Sequence, residues 1–132
     1  MTFQLNRRRF ERFQLPAAYT AVRVRTLDQD EFTRAGHAYD ISESGIRFEL
    51  DEPIAPGTPV AIEIMLPGLD EPWSNDNGPG RAVYVFANLI WVNEEDLPGP
   101  VRLAAAFTRF ARAGDRERLV RQLVAGRFRR AA

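Results

Sequence analysis

The 132-residue sequence contains no cysteine, no lysine and a single histidine. Without cysteine, the chain can form neither disulfide bonds nor cysteine-rich zinc sites, and this composition fits a reducing compartment. The one histidine, His37, cannot supply the several imidazoles of a multi-histidine site, so we predict no metal ligands. No apolar run approaches the roughly 20 residues that a membrane-spanning helix requires. We therefore expect a cytoplasmic protein, and its length suits a single domain.

The charged residues are unevenly distributed, although the formal net charge is zero. Residues 1–12 carry four arginines and one glutamate, for +3, and residues 109–132 carry eight arginines and two acidic residues, for +6. The segment between them therefore sums to −9. Arginine clusters at both ends favour an anionic partner. Solvated termini are an equally good explanation of the same pattern.

Alternating apolar and polar residues predict six short strands, with Gly- and Pro-rich turns between them. The predicted strands cover residues 19–27, a segment ending near residue 41, and residues 46–50, 60–66, 82–92 and 101–108. The fifth strand is apolar on both faces, so something must cover its second face. We expect Trp91 and the strand phenylalanines to lie in the core. The connection 67–80 is longer than a usual hairpin loop, which indicates a functional or mobile segment.

After the last strand the apolar residues change to a helical period. Leu119, Val120, Leu123 and Val124 recur at helical spacing, which predicts a helix over about residues 113–126. We expect Asp115 to cap this helix or to place its charge at the helix start. Six strands followed by one amphipathic helix predict a mainly all-β fold, a six-stranded antiparallel β-barrel with a C-terminal α-helix.

Two short patterns carry the candidate chemistry. The first is Arg8-x-x-x-Arg12, ahead of the first strand, and the second is Asp40-x-Ser42-x-x-Gly45, between the second and third strands. In this order and spacing the chain resembles the PilZ domain family, whose RxxxR and (D/N)xSxxG motifs form a cyclic di-GMP site. The resemblance covers nearly the whole chain. It implies a PilZ-type barrel whose ligand is cyclic di-GMP and which has no other cofactor.

Arginine suits such a ligand because its planar guanidinium binds phosphate oxygens or the edge of guanine through two parallel hydrogen bonds. It also stacks on purine rings. A spacing of four places Arg8 and Arg12 on one side of either a helix or an extended segment, so both can reach one ligand. Arg9 and Arg47 are weaker candidates for the same site. The alternative explanation of the first pattern is a solvated basic tail.

The second pattern places two polar side chains on one face of an extended strand. Asp40 and Ser42 are expected to point away from the inward-facing residues Tyr39 and Ile41. The carboxylate can accept hydrogen bonds from guanine N–H groups, and the hydroxyl can reach a base or phosphate oxygen. Gly45 is expected to allow positive φ and close approach of the ligand to the backbone. An Asx-type turn that only shapes the hairpin explains the same residues.

These patterns predict a ligand-gated adaptor. We expect residues 1–14 to form a flexible segment that binds the ligand together with the hairpin, and residues 15–132 to form the barrel domain with its helix. Ligand binding would order the segment over one face of the barrel, and an unidentified protein effector would recognise the resulting surface.

Two alternatives keep the barrel. One is a PilZ-fold adaptor that binds no nucleotide and acts through protein contacts in a type IV pilus or motility system. The other is a small barrel that binds single-stranded nucleic acid, although the acidic middle of the chain argues against it. We predict no enzymatic activity, because His37, Asp40 and Ser42 fall within six residues of one another, whereas a catalytic triad usually draws on separate elements.

Overall fold

The computed structural model describes residues 13–14, 20–65, 82–93 and 101–125. Seven strands and one helix occur in this part of the chain. The elements are β1 (Phe13–Gln14), β2 (Ala21–Thr26), β3 (Arg34–Ile41), β4 (Gly45–Leu50), β5 (Pro59–Met65), β6 (Ala82–Asn93), β7 (Val101–Phe110) and α1 (Asp115–Ala125).

The six longer strands close into an antiparallel barrel. Their order around the sheet is β3, β2, β5, β6, β7 and β4, and β4 pairs back to β3 to complete the circle. The two-residue strand β1 pairs with the C-terminal end of β3, at Asp40 and Ile41. Closure gives each of these six strands a hydrogen-bonded neighbour on both sides. The predicted six-stranded barrel with a C-terminal helix is confirmed.

The barrel interior is filled by aliphatic side chains from alternate positions of each strand. Leu119 and Leu123 of α1 join this core cluster, so the helix covers part of the barrel. Burying one such side chain stabilises the fold by about 1.5–3 kcal/mol relative to exposure. The largest fully buried side chains are Phe48, Ile41, Ile46, Leu50, Ile62, Ile64, Leu103, Leu119, Val22, Val24, Val60 and Val83.

A β-bulge in β6 reverses the predicted orientation of Trp91. Leu89 pairs with Ala105 and Trp91 pairs with Ala104, so Ile90 is the extra residue on β6. The inserted residue shifts the alternation by one position beyond it. Trp91 therefore lies on the outer surface, where it is 37% exposed. The prediction that Trp91 belongs to the core was wrong, because the pairing of β6 with β7 contains an irregularity that simple alternation does not include.

The second apolar face of β6 is covered by arginine side chains. The guanidinium of Arg109 lies 4.6 Å from the ring centroid of Phe86, and that of Arg112 lies 4.6 Å from the ring centroid of Tyr84. Both rings remain half-buried, so Phe86 lies outside the core in which the strand phenylalanines were expected. Arginine can cover an aromatic face in this way because its guanidinium is planar and weakly hydrated.

Two predicted segments fall largely outside the described residues. The connection 67–80 is one of them. Of the N-terminal segment 1–14, the structure describes only Phe13–Gln14, which form β1. Within the described parts of the chain, no helix has both the length and the apolar character needed to span a membrane.

Candidate functional site

The turn between β3 and β4 is held by its own serines. The backbone N–H of Ser42 donates to the carbonyl of Gly45 at 2.9 Å, and the backbone N–H of Ser44 donates to Ser42 Oγ at 3.1 Å. Ser42 is almost completely buried, at 1% exposure. Its hydroxyl therefore shapes the hairpin, as the turn-forming explanation of the motif requires.

Gly45 is required by close packing between strands. A Cβ atom at this position would lie 2.8 Å from the carbonyl oxygen of Ala105 on β7, which is closer than such atoms approach. The described glycines with positive φ are Gly57 and Gly114, so the expected positive φ at Gly45 was wrong. The position is restricted to glycine because Gly45 pairs directly with Ala106 and lies against the backbone of β7.

Asp40 and Arg47 form a cross-strand pair on the outward side of this hairpin. They are register partners, and Arg47 Nη1 lies 3.5 Å from Asp40 Oδ2. The Asp40 side chain is 8% exposed, whereas the Arg47 side chain is 38% exposed. The pair thus combines a largely buried carboxylate with a guanidinium that still reaches solvent. Such a guanidinium retains N–H groups that can bind a phosphate or a guanine edge.

Tyr39 is the extra residue of a second bulge. The register passes from Ala38 to Asp40 without a partner for Tyr39, which is half-buried rather than part of the core. Its expected inward position was therefore wrong, because the inserted residue breaks the alternation. The guanidinium of Arg102 lies 5.6 Å from the ring centroid of Tyr39. Burial raises the pKa of the Tyr39 phenol, although the neighbouring Arg102 acts in the opposite direction.

One cross-strand row unites these features. Asp40 pairs with Arg47, Arg47 pairs with Ala104, and Ala104 pairs with Trp91. Adjacent strands lie about 4.8 Å apart, so the backbones at Arg47 and Trp91 are separated by roughly 10 Å. Only the small side chain of Ala104 lies between them. Trp91 is the candidate that sequence reasoning missed, since the bulge that turns it outward leaves no signal in the sequence.

Comparison with known protein families finds a match over most of the chain. The family model described as "PilZ domain" matches residues 6–125. The chain belongs to the PilZ domain family. The matched range includes both motifs, and the PilZ assignment that the motifs suggested is thereby confirmed.

Two solved structures are similar to this PilZ chain. One is the Bacillus subtilis inhibitor of motility MotI/DgrA, with a TM-score of 0.64 and 20% identity over 91% of this chain. This chain spans only 50% of the length of that protein. The other is the PilZ domain of Escherichia coli YcgR with c-di-GMP, with a TM-score of 0.63 and 21% identity. That match covers 90% of each chain. At these identities the likeness shows a shared fold. No curated protein sequence matches the chain significantly.

The structure brings one part of the second PilZ motif beside the short strand that follows the first motif in the sequence. Gln14 of β1 pairs with Asp40, and Phe13 pairs with Ile41. The strand that immediately follows Arg12 in the sequence therefore runs along the motif-bearing end of β3. The remaining predicted site residues, Arg8, Arg9 and Arg12, lie outside the described residues.

Proposed function

We propose that this PilZ protein is a cytoplasmic cyclic di-GMP receptor that transmits ligand binding to a protein partner. The observation that carries the proposal is the pairing of β1 with β3 at Asp40. This pairing runs the chain that follows the arginine motif beside the Asp40–Arg47 pair. The two motifs can therefore contribute to one ligand site without a long-range rearrangement of the barrel.

The outward row offers complementary chemistry for each part of the ligand. Asp40 accepts hydrogen bonds from guanine N–H groups. Arg47, together with Arg102 near Tyr39, supplies positive charge for the phosphates. The exposed ring of Trp91 provides a surface on which a base can stack, and such stacking is worth about 1–3 kcal/mol per base. A carboxylate, two guanidiniums and an aromatic ring match a ligand with two guanines and two phosphates.

The N-terminal arginines complete the proposed mechanism. Cyclic di-GMP on the Asp40–Arg47 face attracts Arg8 and Arg12, with Arg9 as a weaker contributor, because guanidinium groups bind phosphate oxygens through charge-assisted hydrogen bonds. The part of the segment 1–14 that precedes β1 then becomes ordered over the barrel domain, 15–132, and a protein effector recognises the altered surface. Such a switch requires the ligand to bind the ordered state more tightly than the open one. Of the two similar structures, one is a PilZ domain with c-di-GMP and the other is an inhibitor of motility, which supports a ligand and a partner of this kind.

Calorimetric titration of the full chain with cyclic di-GMP tests the proposal. We expect saturable binding that is lost in Arg12→Ala and weakened at least tenfold in Asp40→Ala. Arg121→Ala, which changes an exposed arginine of α1, serves as the matched control and should bind normally. Trp91→Phe should weaken binding and remove part of the ligand-dependent change in tryptophan fluorescence. Absence of heat with wild-type protein at high micromolar ligand would refute the proposal.

A nucleotide-independent adaptor is the second candidate. It is favoured by the contacts that the motif side chains make within the hairpin, since Ser42 Oγ accepts a hydrogen bond from the backbone N–H of Ser44 and Arg47 pairs with Asp40. Under this hypothesis a pilus or motility protein is retained by the chain without nucleotide, and the calorimetric titration shows no heat. The third alternative is binding of single-stranded nucleic acid. It predicts an affinity for any oligonucleotide that falls steeply as the salt concentration rises.

A further inference from the structure

A second outward surface lies on β2, β5, β6 and β7, away from the Asp40–Arg47 row. Arg25 pairs with Ala61, Ala61 with Phe86, and Phe86 with Arg109, which forms one row across four strands. A neighbouring row runs from Arg23 through Glu63 to Tyr84. We call the arginine–aromatic face the surface formed by Arg23, Arg25, Phe32, Tyr84, Phe86 and Arg109.

Aromatic rings hold the guanidiniums of this face in place. Arg23 and Arg25 each lie 5.6 Å from the ring centroid of Phe32, and Arg109 lies 4.6 Å from that of Phe86. Phe32 in turn contacts Tyr84, with 6.2 Å between ring centroids. A stacked guanidinium presents its N–H edge in a defined direction and loses little conformational freedom when it binds a carboxylate.

The described residues neutralise the charges of the arginine–aromatic face only in part. Glu63 pairs with Arg23 at 3.1 Å and accepts a hydrogen bond of 2.6 Å from the hydroxyl of Tyr84. Arg25 donates instead to the backbone carbonyl of Gln29 at 2.9 Å. Within the described ranges, neither Arg25 nor Arg109 forms an ion pair with a carboxylate. Among the described residues, these two preorganised cations therefore have no acidic partner.

The spacing of these two cations specifies the kind of partner. Three strand-to-strand steps separate Arg25 from Arg109, which corresponds to about 14 Å between their backbones. In an extended peptide, residues i and i+4 are also about 14 Å apart and project to the same side. We infer that the arginine–aromatic face binds an extended acidic segment of a partner protein, whose two carboxylates pair with Arg25 and Arg109.

The surroundings of the face favour an acidic protein segment over a nucleic acid or an anionic membrane. Glu63 lies between the cationic ends and would repel a continuous phosphate backbone. The barrel segment between the terminal arginine clusters also sums to −9, which disfavours an extended polyanion. Arginine and aromatic residues are, in contrast, the types enriched at protein–protein interfaces.

This surface is separate from the proposed nucleotide site. Phe86 and Trp91 both point outward from β6, but four pairing steps separate them because Ile90 is a bulge residue, which corresponds to roughly 14 Å along the strand. The inference therefore goes beyond cyclic di-GMP binding and holds equally for an adaptor that binds no nucleotide.

The test uses two synthetic peptides and the isotope-labelled full chain. One acetylated peptide of β-forming sequence carries glutamates at positions i and i+4, and its matched control carries glutamines there. The arginine Nε–Hε NMR signals and the backbone amides are followed during titration. We expect the glutamate peptide to shift the signals of Arg25, Arg109 and the amides of β2 and β7, and to leave those of the β3–β4 turn unchanged. Equal shifts with the glutamine peptide, or no shifts, would overturn the inference.

Charge reversal provides the matched variants. Arg25→Glu combined with Arg109→Glu should weaken binding of the glutamate peptide at least tenfold, whereas Arg121→Glu on α1 should not. If the double variant does not fold, Arg25→Gln and Arg109→Gln are used singly, and each must weaken binding. Tighter binding of an oligonucleotide or of phosphatidylglycerol vesicles than of the glutamate peptide would contradict the inference. The double variant should keep its calorimetric response to cyclic di-GMP, so a failure here is distinct from a failure of the nucleotide proposal.

Discussion

The backbone N–H of Tyr84 donates a hydrogen bond of 3.0 Å to Asp115 Oδ2 and thereby joins β6 to the first residue of α1. Asp115 is 1% exposed, and its two oxygens also accept hydrogen bonds from the guanidiniums of Arg112 and Arg118 at 3.0–3.1 Å. The sequence predicted a role for this carboxylate at the helix start. In the folded protein this carboxylate also connects α1 to the barrel through its hydrogen bond with the backbone of β6.

Removing this carboxylate should destabilise the protein. Asp115→Ala leaves the N–H of Tyr84 and two arginines without their acceptor, so we expect the free energy of unfolding to fall by about 2–3 kcal/mol. Asp115→Asn keeps one acceptor oxygen and should cost less. Glu117→Gln, an exposed change in the same helical turn, should cost under about 0.5 kcal/mol. Urea denaturation measures the free energy of unfolding of all three variants. Equal stabilities for Asp115→Ala and Glu117→Gln would contradict a stabilising role for the hydrogen bond between Asp115 and Tyr84.

A methyl group at Gly45 should strain the contact between β4 and β7. Since its Cβ would stand 2.8 Å from the carbonyl oxygen of Ala105, one strand must shift, and we expect Gly45→Ala to cost about 1–3 kcal/mol. Gly57→Ala provides the comparison, because there the space is open and the backbone conformation alone opposes the substitution, at about 1–2 kcal/mol. Thermal melts monitored by circular dichroism report both. A Gly45→Ala protein of normal stability that has lost cyclic di-GMP binding would instead indicate a direct role in the ligand site.

Alkaline titration should detect the effect of the hydrogen bond between Tyr84 and Glu63 on the pKa of the Tyr84 phenol. The pKa of the Tyr84 phenol is raised chiefly by this hydrogen bond to Glu63, and additionally by burial. The folded state therefore holds this proton more tightly than the unfolded state. Its contribution to stability is complete below the ordinary value of 10.0 and is lost as the pH rises from there through the folded pKa.

The absence of lysine and cysteine makes this measurement direct, because few groups other than the three tyrosines change charge in that range. Phenolate absorbance should show titration of both Tyr39 and Tyr84 above pH 10.0, and Tyr84→Phe should remove the Tyr84 contribution while that of Tyr39 remains. The same variant should lose less stability than wild type between pH 10.0 and the folded pKa. An unchanged titration curve in Tyr84→Phe would show that this phenol is not the high-pH group.

The ion pair between Glu43 in the β3–β4 turn and Arg116 of α1 should add little stability. Arg116 Nε donates to Glu43 Oε1 at 2.6 Å, but the Arg116 side chain is 56% exposed. Solvent screens such pairs, so a double-mutant cycle of Glu43→Gln and Arg116→Gln should give a coupling of about 0.2–1 kcal/mol that decreases with salt. A coupling above about 2 kcal/mol would contradict the assignment as a screened surface pair.

Local patterning in the sequence was sufficient for the architecture. The alternation through Val22 and Val24, and through Ile46 and Phe48, predicted strands that the structure contains, and the spacing of Leu119 and Leu123 predicted α1. These predictions succeeded because burial of one face imposes a period of two on a strand and of 3.6 on a helix. The Arg8–Arg12 and Asp40–Gly45 motifs, found together and in order along the predicted strands, likewise suggested the family.

Tertiary pairing decided the finer arrangement of the surface. The bulges at Tyr39 and Ile90 change which side chains face outward, and they place Trp91 in one row with Asp40 and Arg47. A bulge arises from the pairing of two strands that are distant in sequence, so neither strand's own alternation contains it. The sequence by itself therefore determined the elements and the family, whereas the closure of the barrel determined which residues meet on its outer surface.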